Sequence, residues 1–151
     1  MHLKKDNIYP LFKIRTPNYV DFYMEHKKKI DQNGHVWFCR FGKNNMKVQS
    51  LTSCEPLLLM KESGKKHGGI YIAEYDRMES FVPLSETSVP SYYKTILHPP
   101  SLWFRILSLE KFDFQLLCDC FVGNTSGGDI EKILQSMCPA FFIRCTKEIK
   151  I

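Results

Sequence analysis

Apolar and polar positions divide the chain into short segments separated by turn residues. After Pro10 the two kinds alternate along 9–15, which predicts a first strand, closed by Thr16, Pro17 and Asn18. Over 19–30 the apolar residues Tyr19, Phe22, Tyr23, Met24 and Ile30 favour one face of a helix. Lys27, Lys28 and Lys29 sit near its expected C-terminal end, where cations suit the helix dipole, and Asn33-Gly34 supplies a stop. Residues 35–41, bearing Trp37, Phe38 and Phe41, form either a short strand or an ordered loop. The apolar run 57–61 leads into Glu62-Ser63-Gly64-Lys65, and a second run, 69–76, leaves it, so the two predict paired strands about a glycine turn.

The next segment, 82–100, carries four prolines and several serines and predicts a long loop, of the kind that tends to bind or to be disordered. Residues 101–108 predict a strand with Trp103 and Phe104 on opposite faces. Residues 114–121 fit a buried strand or a short helix. Gly127 and Gly128 lead into a capped helix over 129–137 with Asp129 and Glu131 in its first turn, and Pro139 releases the chain into a last strand, 140–144. Strand, helix, several strands, helix, strand, without β-α alternation, predicts an α+β domain over 1–151. Its architecture is expected to be a curved, mainly antiparallel sheet or small open barrel with flanking helices.

Bulk properties narrow the class. A chain of 151 residues, 44% hydrophobic, suits one compact core. No apolar run reaches the eighteen or so residues of a membrane span, and the start lacks the apolar core of a signal peptide, so the expected setting is intracellular, nucleus or cytoplasm, with no membrane partner. The six cysteines are then expected as free, mostly buried thiols. Cys118-Asp119-Cys120 lacks the spacing of a zinc ribbon, and on a strand its thiols would diverge, so no metal is expected. Net charge is +5, and the basic residues concentrate between 27 and 66, at Lys27, Lys28, Lys29, Arg40, Lys43, Lys47, Lys61, Lys65 and Lys66. Such an excess suits a polyanion or is a solvated face.

The sequence holds no Gly-x-Ser-x-Gly, His-Glu-x-x-His, P-loop or Gly-x-Gly-x-x-Gly motif, and its five histidines are scattered; an enzyme is not expected, nor a cofactor. Aromatic residues make up 13% of the chain. Aromatic faces beside basic residues hold unstacked bases, each stack contributing about 1 to 3 kcal/mol. Phe12, Phe22, Phe104, Phe114, Phe121, Phe141, Phe142 and Trp103 are expected in the core. Trp37, between Gly34-His35 and the basic residues Arg40 and Lys43, is the candidate for a binding surface, at the mouth of a pocket.

In this order of features the chain resembles a YTH domain, a reader of N6-methyladenosine in RNA, within the wider superfamily that includes the EVE and PUA folds. The resemblance rests on Leu11-Phe12-Lys13-Ile14-Arg15, Asn18, Gly34-His35-Val36-Trp37, the Glu62-Ser63-Gly64-Lys65 turn with Gly68 to Ala73 after it, Phe104-Arg105-Ile106 and, loosely, Ser126-Gly127-Gly128-Asp129-Ile130. Phe38-Cys39 depart from the family's continuation after the tryptophan, and no second tryptophan stands in the expected loop. The resemblance implies a cage with Trp37 as one wall, Tyr92 or Tyr93 as another and Leu97 as floor, and with Asn18 hydrogen-bonded to the adenine ring. The expected partner is single-stranded RNA carrying a modified adenine, its backbone held by Arg40, Lys43, Lys65 and Lys66. One buried methyl contributes only about 0.8 kcal/mol, so a selective cage must also strip water from the unmethylated amine. An EVE-like reader of a modified base in DNA and a protein interaction module with an aromatic groove are the alternatives.

Overall fold

A computed structural model describes residues 1–44, 46–64 and 68–151. Along the chain run β1 (His2–Leu3), β2 (Ile8–Ile14), α1 (Phe22–Asn33), β3 (Val36–Phe41), α2 (Val48–Thr52), β4 (Leu57–Glu62) and β5 (Ile70–Glu79). A 3-10 turn (Ser91–Thr95) precedes β6 (Pro100–Phe112), α3 (Phe114–Cys120), β7 (Phe121–Gly123), α4 (Ile130–Leu134), β8 (Ala140–Cys145) and β9 (Ile149–Lys150). The fold is α+β. Among the described residues seven strands form a mostly antiparallel sheet in the order β3-β6-β5-β4-β2-β8-β7, and β1 pairs with β9. Strands β2 and β4 are parallel, Leu11 opposite Leu59 and Ile14 opposite Glu62. A parallel pair needs a long connection, and here α1, β3 and α2 lie between its strands. No helix among the described residues is long and apolar enough to cross a membrane.

The chain divides into two compact units, each assembled from separated segments. The first comprises Met1–Arg15, Met46–Ile72 and Lys111–Ile151. Its core gathers Leu3, Tyr9, Leu11, Leu59, Ile72, Leu117, Phe121 and Ile143. Strand β2 lies between β4 and β8, and its Pro10 falls before the stretch that pairs with β4, where the missing N–H interrupts no bond to that strand. The Glu62 turn is a packing device. Glu62 is buried, its carboxylate accepts the Tyr71 hydroxyl and the Gly69 N–H (3.4 Å), and its own N–H donates to Gly69 O at 2.9 Å. A Cβ on Gly68 would stand 2.6 Å from the Glu62 carbonyl oxygen, so only glycine lets the chain pass there. Lys65, Lys66 and His67 lie outside the described residues.

The second unit comprises Thr16–Asn45 and Ala73–Glu110. Helix α1 begins at Phe22 rather than at 19, because the Asp21 side chain accepts the Met24 N–H (3.0 Å) and caps it. It continues to Asn33, where Gly34, at φ 81°, donates to Ile30 O. The lysines at 27–29 therefore lie mid-helix and leave the last turn without a cation. Phe22 and His26, one turn apart, form its buried face. The segment 35–41 resolves as strand β3, and 80–99 as a connection whose only regular piece is the 3-10 turn.

Several expectations are corrected. Of the two alternatives for 114–121 the short helix forms, as Phe114–Cys120, so Cys118 and Cys120 sit on α3 and not, as expected, on a strand. Helix α4 is shorter than 129–137, and Asp129 makes no side-chain cap; its backbone bridges to Val122 instead, and Pro139 disfavours helix in the residue before it. Phe114, first in α3, is 41% exposed, and Phe141 and Phe142 are only half-buried.

All six cysteines are free thiols. Burial pushes the Cys39 thiol up to about 12, offset in part by backbone hydrogen bonds, and raises Cys145 as well. In native alkylation followed by mass spectrometry, exposed Cys138 is expected to label first, and Cys39, Cys120 and Cys145 only in denaturant. Gly68→Ala is expected to cost about 1 to 3 kcal/mol in chemical denaturation, as an overpacked site does.

Candidate functional site

In the second unit the pairing of β3 with β6 decides which side chains meet. Trp37 stands opposite Arg105, Phe38 opposite Phe104, Cys39 opposite Trp103 and Arg40 opposite Leu102. Opposed residues share a face, so Trp37, Cys39, Trp103 and Arg105 project to one side, and Phe38, Phe104 and Arg40 to the other. On the Trp37 side a single cluster forms from Val20, Trp37, Cys39, Val82, Val89, Tyr92, Tyr93 and Trp103, with Phe41 and Ile96 packed against it.

The connection between β5 and β6 supplies half of that cluster and is tied to β3 through Ser88. The Trp37 N–H donates to Ser88 O at 3.0 Å. The Ser88 hydroxyl donates to Glu86 (3.3 Å), so the 2.9 Å contact with His35 is a donation from the imidazole Nε2. His35 in turn meets the Trp37 ring edge to face, centroids 6.4 Å apart. The 3-10 turn carries Tyr92 and Tyr93 at right angles, centroids 5.0 Å apart. Tyr93 packs edge-on to Phe41 at 5.1 Å and lies 6.0 Å from Trp103.

Beneath the rings lies a buried polar pair. His26 Nδ1 lies 2.9 Å from the Phe22 carbonyl, which can only accept, so Nδ1 carries a proton. With that tautomer Nε2 accepts the Tyr93 hydroxyl at 2.7 Å, and the same phenol oxygen accepts the Cys39 N–H at 3.4 Å. Burial, above all, raises the Tyr93 phenol well above its ordinary value and keeps it a donor. Helix α1, strand β3 and the 3-10 turn are thereby fastened at one hydroxyl.

The sequence-derived site residues divide as follows. Trp37, Tyr92 and Tyr93 join one cluster, with Trp37 at 7% and Tyr92 at 8% exposure, Tyr93 deeper, and Trp103 at 1%. Trp37 is thus a packed residue of the same cluster as Trp103 rather than an open surface. Leu97 is 98% exposed and cannot serve as an apolar floor as it stands; its neighbour Ile96 packs inward. Asn18 is exposed, two residues before Val20 of the cluster. Lys43 is exposed. Arg40 is buried on the opposite face, because the strand's alternation turns it away from Trp37, which corrects its expected place against a phosphate backbone.

Three residues were missed. Arg105, opposite Trp37, donates twice to Asp76 (2.8 and 2.5 Å), and this hydrogen-bonded pair holds the Asp76 carboxyl below the usual range. Only strand register could have found it. Tyr19 and Phe81, about three-quarters exposed, each precede a valine of the cluster. The Tyr19 hydroxyl lies 3.3 Å from that of Thr95, which itself donates to Tyr92 O. Their signal was an aromatic residue beside a turn, which sequence alone cannot separate from core.

Tyr93→Phe and His26→Phe are each expected to destabilise the protein by about 1 to 3 kcal/mol, since each strands a buried polar partner. The double variant is expected to cost less than the two together, by a coupling of about 0.5 to 3 kcal/mol in chemical denaturation.

Comparison with family models, with curated proteins and with solved structures finds no match to this chain.

Proposed function

We propose that the chain is a YTH-like domain of the PUA/EVE-like superfamily. In this reading its second unit is a non-catalytic RNA-binding module that takes one flipped-out base, N6-methyladenine, into the aromatic cluster. The observation that carries this reading is the convergence of Trp37, Tyr92, Tyr93 and Trp103, from three separate stretches of chain, into one cluster on one face of the β3-β6 pair. Trp37 and Tyr92, its least buried aromatic members, form the mouth, and Tyr93 and Trp103 the inner wall. Exposed Asn18 is beside the mouth in sequence and supplies an amide to the adenine ring, and exposed Lys43 holds a phosphate. The rings meet one another in the free protein, so binding requires the 80–99 connection to lift and a base to replace ring-to-ring contacts, which favours a base already unstacked in single-stranded RNA.

The exposed side chains of Tyr19, Phe81 and Leu97 favour a second reading, a protein interaction module, and salt separates the two. In calorimetric titrations with short single-stranded RNA, one N6-methyladenosine is expected to strengthen binding at least about fourfold, the value of one buried methyl. Affinity is also expected to fall steeply as salt rises. Trp37→Phe is expected to reduce the methyl preference more than the salt slope. Equal affinity for methylated and plain RNA sinks the methyl-reading claim. Tighter binding of duplex DNA with a modified base moves the assignment to DNA, and binding that ignores salt moves it to a peptide.

A further inference from the structure

Trp103 was expected to be an ordinary core aromatic, and its indole nitrogen does not fit that role. The side chain is 1% exposed and its Nε1–H meets no hydrogen-bond acceptor among the described residues. Buried tryptophan normally places its N–H on a partner, and a core that needed only an aromatic disc could use phenylalanine at no such cost. The Tyr93 ring lies 6.0 Å from Trp103, and its hydroxyl is engaged elsewhere, with His26 and the Cys39 N–H. The residue that carries this donor stands opposite Cys39 on the Trp37 face and belongs to the cluster of Trp37, Tyr92 and Tyr93.

We infer that Trp103 Nε1–H is the donor that reads the bound base, and that its acceptor is an unprotonated ring nitrogen of a purine. The inference rests on the base-binding reading above and adds an atom to it. Stacking and a methyl-sized space leave the ring's identity unread, because every base has an aromatic face. A fixed donor at the inner wall rejects any ring that presents C–H there, since the N–H then stays unpaired where water is excluded. Trp103 thus sets the orientation of the purine, and Trp37 and Tyr92 hold its faces.

The test uses the whole 151-residue chain labelled with nitrogen-15, whose two tryptophans give two indole N–H signals, assigned with Trp37→Phe. Short single-stranded RNA with one N6-methyladenosine is titrated in, alongside oligonucleotides carrying its 1-deaza, 3-deaza and 7-deaza forms. The Trp103 indole proton is expected to move downfield and exchange more slowly on binding. One deaza form is expected to bind roughly ten- to hundredfold more weakly than the parent, the other two much like it. An unmoved Trp103 signal in an RNA complex, or equal affinity for all three deaza forms, overturns the inference and leaves the base-binding reading standing. If no RNA binds at all, the base-binding reading fails and this inference falls with it.

Discussion

The hydroxyl of Tyr93 is the point on which the second unit depends. It donates to His26 on α1 and accepts from the backbone of Cys39 on β3, while its ring packs on Phe41 and Trp103. Two consecutive elements, α1 and β3, and a turn more than 50 residues further along therefore share one oxygen withdrawn from water. In that setting a satisfied hydrogen bond contributes modestly, and an unsatisfied partner is costly. The arrangement fixes the 3-10 turn and so brings Tyr92 to the margin of the cluster. The aromatic cluster is a consequence of this polar anchor as much as of apolar burial.

The Glu62 turn plays the corresponding part in the first unit. Its carboxylate is buried against the Tyr71 hydroxyl and the Gly69 N–H; Gly68 passes close to the Glu62 backbone and Gly69 close to the Tyr71 ring and hydroxyl. Lys61, whose amine donates to the Glu62 and Gly68 carbonyls, has its pKa lowered by burial, with the nearby Glu62 charge acting the other way. A motif that stands out in sequence thus has a sufficient structural explanation. Glu62, Tyr71 and the two glycines at 68 and 69 are held together by these contacts at the facing ends of β4 and β5.

The proposed function accordingly rests on the cluster and not on the motif. The motif carried the resemblance, whereas the proposed function draws on Trp37, Tyr92, Tyr93 and Trp103, which the β3-β6 register and the 3-10 turn bring into one cluster. Two adjacent aromatics on β6 divide the labour: Phe104 packs with Phe38 and Tyr75 on one side, and Trp103 enters the cluster on the other.

Local pattern by itself determined the strands at 8–14, 57–62 and 140–145 within a residue or so, the presence of a first helix but not its start at Phe22, and the α+β class. Period-two alternation, capping residues and glycine act over a few residues and can be read along the chain. It also singled out Trp37 and the Tyr92-Tyr93 pair. Only tertiary structure decided that β2 and β4 pair in parallel, that Arg40 turns inward, that Leu97 faces solvent, and that Trp103 shares a cluster with Trp37. Each of these depends on which strand lies beside which and in what register. A shift of one residue would exchange the two faces, and no local pattern encodes that choice.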